Sequence, residues 1–221
     1  MDAGEDRAHA QAGPGQQPGS SSIGPDRDGA RSLEAFAIQH GLLFNYAWLM
    51  SLDPRDGGQQ HETYVDLSEP SWRIKVTGPN LVLISKRRRI PELTALDYLN
   101  SCHLANIVFG DQIEFLGVIP TEEGPRLVIR QPEVEAADPD NPHPMKHAIN
   151  RWLRSAGFEY EEGAWTRESD LVVVSDEHEG NFILAHEGIR PIDLHLSRLP
   201  WAKGEVIPWN ENPANPSRTA L

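Results

Sequence analysis

Three short apolar runs, Leu171–Val174, Phe182–Leu184 and Ile189–Asp193, crowd the stretch from Leu171 to Leu194. Only a polar loop and a turn at Gly188 separate them. Runs this short, cut by turn residues, cannot each complete a helix, so they read as strands of one small cluster. The loop between the first two is Asp176-Glu-His-Glu-Gly-Asn181, and the third run delivers Asp193. Two carboxylates and an amide oxygen would thus meet at one end of a hairpin. Hard oxygen donors of this kind suit Mg²⁺, and a carboxylate beside them can accept a hydroxyl proton. Taken alone, Asp176–Glu179 is equally a solvated polar turn; the strands around it and Asp193 beyond it favour the chemical reading.

The rest of the chain sets this cluster in an α+β context. Ser32 reads as the N-cap of an amphipathic helix carrying Leu33, Phe36, Ala37, Phe44 and Trp48, with Gly41 its weak point and Pro54 and Gly57-Gly58 its end. Glu62–Leu67 and Trp72–Thr77 read as strands. In the second, Trp72, Ile74 and Val76 alternate with Arg73, Lys75 and Thr77, a half-buried pattern. Leu81–Ile84 is a further apolar run. Pro91 is placed to open a helix reaching about Val108, with Gly110 as its stop. Ile113–Ile119 and Arg126–Arg130 form a strand pair, and a Pro-rich connector leads to a helix marked by Met145, Ile149, Trp152 and Leu153 and closed by Gly157. Strands and helices in this order are α+β rather than alternating βαβ.

Composition narrows the function. Residues 1–31 are rich in Gly, Pro and Ser and read as a disordered tail; residues 203–221, with Pro208, Pro213 and Pro216, read as a flexible one. Between them, residues 32–202 form the expected domain. Twenty basic residues face 33 acidic ones, a formal net charge of −13. Such a field repels phosphate backbones and anionic surfaces, so neither nucleic acid nor membrane is an expected partner. The basic run Lys86-Arg87-Arg88-Arg89 reads as a solvated turn. No stretch approaches the roughly 18 apolar residues of a membrane helix. The opening Met1-Asp-Ala-Gly-Glu-Asp lacks the pattern of a secretory signal, so a cytoplasmic location is expected. A single cysteine, Cys102, excludes an internal disulfide and a cysteine-based zinc site and reads as a small buried hydrophobe.

Asp176-Glu-His-Glu-Gly-Asn181 resembles the D-x-x-x-x-N catalytic loop of kinases, with Asp193 in the place of the metal-binding Asp that follows. With His178 and Gly180 it is more similar to the D-x-H-x-x-N loop of aminoglycoside phosphotransferases than to the eukaryotic version. His61-Glu62-Thr-Tyr-Val-Asp, Arg73-Ile-Lys75-Val-Thr, Asp97-Tyr-Leu, Asn106-Ile-Val-Phe-Gly-Asp111 and Val128-Ile-Arg-Gln-Pro132 follow in order. Together they are similar to the kinase-like domain of polyvalent proteins of phages and conjugative elements, over roughly residues 56–200.

That resemblance implies a two-lobed protein-kinase-like fold with a reduced C-terminal lobe: an N-lobe over about 32–130 and a catalytic lobe over about 131–202. It implies Asp176 as catalytic base, Asn181 and Asp193 as Mg²⁺ ligands, and Lys75 as the strand lysine on the α/β-phosphates. Glu92, or else Asp97, is the implied helix acid that pairs with Lys75, and Gln131-Pro132 the hinge that meets adenine. The implied activity is ATP- and Mg²⁺-dependent phosphoryl transfer to a hydroxyl of a protein or small molecule. The chain departs from the pattern in lacking G-x-G-x-x-G, where Gly57-Gly58-Gln-Gln-His61 stands instead, in carrying His195 for the usual glycine, and in its short course beyond Asp193. Two rival readings remain open: an inactive kinase-like interaction module, and a metallohydrolase using the pairs Asp176-x-His178 and Asp193-x-His195.

Overall fold

The computed structural model describes residues 27–55, 61–79, 94–161 and 163–199. Residues 1–26, Gly57-Gly58, Leu81–Ile84, Lys86–Arg89, Pro91, Glu92 and the C-terminal tail lie outside the described residues.

The first helix, α1, spans Arg27–His40, so Ser32 lies within it and is not its cap, and residues 27–31 do not belong to a disordered tail. Once the face carrying buried Ala37 is docked, adding a turn of mostly charged residues upstream is cheap, because propagation costs far less than nucleation. Nor does the helix run on to Trp48. Gly41 takes a left-handed φ of +67° and ends it. The chain then hydrogen-bonds sideways, with Phe44 N donating to Val118 O and Val118 N to Leu42 O, before Asn45 caps a short α2, Tyr46–Leu49.

A five-stranded antiparallel sheet follows: β1 (Asp53–Arg55), β2 (His61–Val65), β3 (Trp72–Thr77), β4 (Glu114–Ile119) and β5 (Arg126–Pro132), in the order β1-β2-β3-β5-β4. Between β3 and β4 in sequence lies α3, Ala95–Phe109. Its start is fixed by a capping box in which Thr94 and Asp97 exchange hydrogen bonds, and Gly110, in the left-handed region, ends it. Helices α1 and α3 cover one sheet face through Ala37, Tyr98, Leu127 and Ile129; Leu49 and Leu52 pack with Ile74, Val76 and Val128 on the other. Inner strands are therefore covered on both sides. This corrects the half-buried reading of β3, whose last four residues, Lys75 and Thr77 included, are all buried.

Among the described residues the remainder holds α4 (Lys146–Ser155), a single 3-10 turn (Glu179–Asn181) and six strands: β6 (Glu159–Glu161), β7 (Ala164–Arg167), β8 (Val172–Ser175), β9 (Phe182–Ala185), β10 (Gly188–Pro191) and β11 (His195–Arg198). These form a sheet ordered β11-β8-β7-β6 and a separate β9–β10 hairpin. Sequence periodicity finds only three of the six, because β6 is exposed throughout and β7 buries Trp165 alone. Strand β10 also stops at Pro191, which leaves Asp193 in the bend beyond it. The core here joins Ile149 and Leu153 of α4 to Trp165, Val174, Phe182 and Leu196, with Leu104 and Ala105 of α3 in the same cluster. Mixed α/β architecture with antiparallel sheets results, and α3 contributes to the cores on both of its sides.

Candidate active site

The site forms where β3, α3 and the bend after β10 meet. Lys75 sits near the middle of β3, opposite Thr63 on β2 and Ile129 on β5, and only 8% of it is exposed. A buried ammonium needs partners. Lys75 finds the carbonyl of Ile192, to which its Nζ donates, and the carboxylate of Asp193, whose Oδ1 lies 4.0 Å away. Burial by itself pushes the Asp193 carboxyl upward, but the charges of His61 and then Lys75 outweigh it and hold the group well below the usual carboxylate range. Asp193 is therefore ionised across the physiological range.

The loop after β8 is tied to this bend by backbone and side chain together. Asp176 takes a left-handed φ of +63°, which turns the chain sharply out of the strand. Such a conformation is costly for a residue with a Cβ and persists where its surroundings fix it. Here they do: His178 N donates to Asp176 O, Asn181 N donates to His178 O, and the buried Asn181 amide donates through Nδ2 to Asp176 O at 2.7 Å and to its Oδ2 at 3.2 Å. Ile192 N then donates to Asn181 O at 2.9 Å, so the residue before Asp193 is stitched to the loop carrying Asp176. From outside, Lys146 at the start of α4 holds the loop, its backbone N on Glu179 and its ammonium on Glu177.

Lys75, Gln131 and Asp193 line one cleft, with Tyr98, Cys102 and Asp111 on the α3 side. Gln131 is buried near the end of β5, where the chain leaves the sheet; Glu133, just beyond, pairs with Arg73 and returns a backbone bond to Ser71 O. Asp97 does not serve as a partner of Lys75: its carboxylate accepts hydrogen bonds from Thr94 in the capping box, and the carboxylate found beside the lysine is that of Asp193. Glu92 lies outside the described residues. The two D-x-H pairs lie near enough for the charge of His178 to reach Asp193 and that of Asp176 to reach His195, but they do not close into a metal cluster. His178 is exposed, and His195 Nδ1 is 3.1 Å from Ser175 Oγ. Among the described residues no group of three or more His, Cys, Asp or Glu side chains could hold a metal ion by itself. Asp193 is ionised, and Asn181, joined to the same bend through Ile192 N, has its Nδ2 engaged on Asp176, which leaves Oδ1 as its open polar atom. Hard oxygen atoms of this kind are the donors that Mg²⁺ takes.

The family described as serine/threonine/tyrosine kinase found in polyvalent proteins matches residues 27–197. The chain belongs to this kinase family. No curated protein matches it. Phosphoryl transfer is the family's general chemistry, and the matched span takes in every described element but the last residue of β11.

Three residues of this kinase site carry no site role in the sequence reading. His61 opens β2, is buried, and places Nε2 2.9 Å from Tyr98 Oη and Nδ1 3.4 Å from Asp193 Oδ1. Asp111, which closes the Asn106–Asp111 segment of the resemblance without a role of its own, is buried in the cleft wall. Burial pushes its carboxyl up to about 7, against the lowering charges of Arg190 and Lys75. Cys102 lies on the cleft side of α3, and burial pushes its thiol up to about 12. Nothing in local spacing marks His61 or Asp111, since each gains its environment from elements distant in sequence.

Proposed function

We propose that this kinase transfers the terminal phosphoryl group of ATP, with Mg²⁺, to a hydroxyl on a protein or small-molecule acceptor. The observation that carries the reading is the pairing of buried Lys75 with half-buried Asp193 at the wall of one cleft, stitched through Ile192 to the loop of Asp176 and Asn181. Lys75, on leaving the Ile192 carbonyl, would neutralise the α/β-phosphates. Asp193 and Asn181 would hold Mg²⁺, which when bound offsets the negative charge of the transferred group. Asp176, fixed at the end of β8 by Asn181, would orient the acceptor hydroxyl and take its proton. Backbone groups of Gln131-Pro132 would meet adenine at the exit of β5, with the sheet and α3 as an N-lobe over about 32–130 and a reduced catalytic lobe beyond. Glu92 remains the proposed helix acid for Lys75. Chemistry of this kind is mostly positioning and electrostatics, which a small scaffold can supply.

The deciding test is calorimetric titration of ATP with and without Mg²⁺, on wild type and Asp193→Ala. The expected result is magnesium-dependent binding in wild type that the substitution abolishes. Absence of nucleotide binding in wild type would overturn the reading and leave an interaction module on a kinase shell.

A further inference from the structure

His61 has no part in the machinery assigned above, and its surroundings give it one. It shares a face of β2 with Thr63, the residue opposite Lys75, so imidazole and ammonium approach the cleft from the same side of the sheet. Only 6% of His61 is exposed. Its Nε2 lies 2.9 Å from the hydroxyl of Tyr98, itself buried in α3, while Nδ1 is shut off from solvent with no hydrogen-bond partner. Leaving a buried imidazole nitrogen unmatched is costly, and native structures rarely do so without reason. The polar atom it approaches is Asp193 Oδ1, at 3.4 Å. An ionised carboxylate only accepts, so the hydrogen that faces Asp193 sits on Nδ1, and the Tyr98 hydroxyl gives or takes the Nε2 bond according to the tautomer.

We propose that His61 is the positioning residue of Asp193, and that Tyr98, His61 and Asp193 form a line that ties the metal-binding bend to α3. In the present arrangement Oδ1 of Asp193 has Lys75 Nζ 4.0 Å away and His61 Nδ1 at 3.4 Å. When Lys75 turns to a phosphate, His61 stays as the donor that fixes the carboxylate, and a short inward shift completes its bond. The partner behind a ligating group commonly governs metal affinity as much as the ligand's own placement. This role rests on the kinase reading of Asp193.

The test uses the full chain with His61→Leu, His61→Asn and Tyr98→Phe, with Asp193→Ala as reference. Asn sets an amide N–H near the position of Nδ1 but gives up Tyr98; Leu removes both. Calorimetry reads ATP affinity against Mg²⁺ concentration, and paramagnetic resonance reads Mn²⁺ binding in the presence of ATP. The expected result is a roughly tenfold to hundredfold rise in the Mg²⁺ concentration for half-maximal effect in His61→Leu. Affinity for metal-free ATP should not change, His61→Asn should recover part of the loss, and Tyr98→Phe should show a smaller loss of the same kind. Wild-type metal dependence in a folded His61→Leu, beside an inactive Asp193→Ala, would overturn this inference alone. If His61→Leu does not fold, unchanged metal dependence in Tyr98→Phe overturns it equally. A wild type without magnesium-dependent binding would overturn both the inference and the function it rests on.

Discussion

Burial sets the Asp111 carboxyl against the pH of its surroundings. Its ordinary value of 3.8 is raised to about 7 in the folded chain, so between those limits the folded state keeps a proton that the unfolded state has released. Stability from this group is therefore complete below about pH 4, falls as the pH climbs through that window, and is flat above pH 7. The full swing is on the order of 4 kcal/mol. Asp111→Asn should flatten the denaturation free energy between pH 4 and 7 and raise it above pH 7; an unchanged slope would show the carboxyl to be solvated. Placement was legible where a motif sets it by spacing. Asp176 and Asn181 were expected on one loop with Asp193 delivered after a hairpin, and the structure does link the segments that hold them. His61 and Asp111 stand in segments that carry the resemblance, but no role for either was legible, because a histidine near a strand start and an acid after a glycine are commonplace and only distant packing makes them unusual.

Among the elements, β11 shows how the site is braced. Its Leu196 N–H, buried, donates to the hydroxyl of Ser101 on α3 at 2.8 Å, one bond joining the strand after Asp193 to the helix that carries Tyr98. Ser101→Ala would leave that N–H unmatched, with an expected loss of about 1–3 kcal/mol in denaturant unfolding. A loss within a few tenths would mean that the strand finds another acceptor. Strand β3 was readable from its alternation and its bounds hold, but its coverage was not, since alternation cannot report that a second layer of Leu49 and Leu52 closes the far face. The split of the first helix at Gly41 was only half visible. Glycine marked the weak point, while the reason for the break is tertiary: Leu42 and Phe44 exchange backbone bonds with Val118, next to Gly117, where an added Cβ would lie 2.1 Å from the Leu42 carbonyl oxygen.

At the scale of the molecule, α3 belongs to two cores at once. Tyr98 packs with the helix-covered sheet face, and Leu104 and Ala105 with the cluster built on α4 and Trp165. A helix shared in this way makes independent melting of either half unfavourable. Heating is expected to give one calorimetric transition with equal calorimetric and van't Hoff enthalpies; two transitions would mean that the halves fold separately. The one cysteine of the chain sits on this same helix, against the cleft, with its thiol pushed up to about 12 by burial. Because the thiolate is the reacting form, a soft electrophile meets almost nothing to attack at neutral pH. The alkylation rate of Cys102 is thus expected to report on the cleft: a nucleotide seated beside α3 should slow it, with no label added.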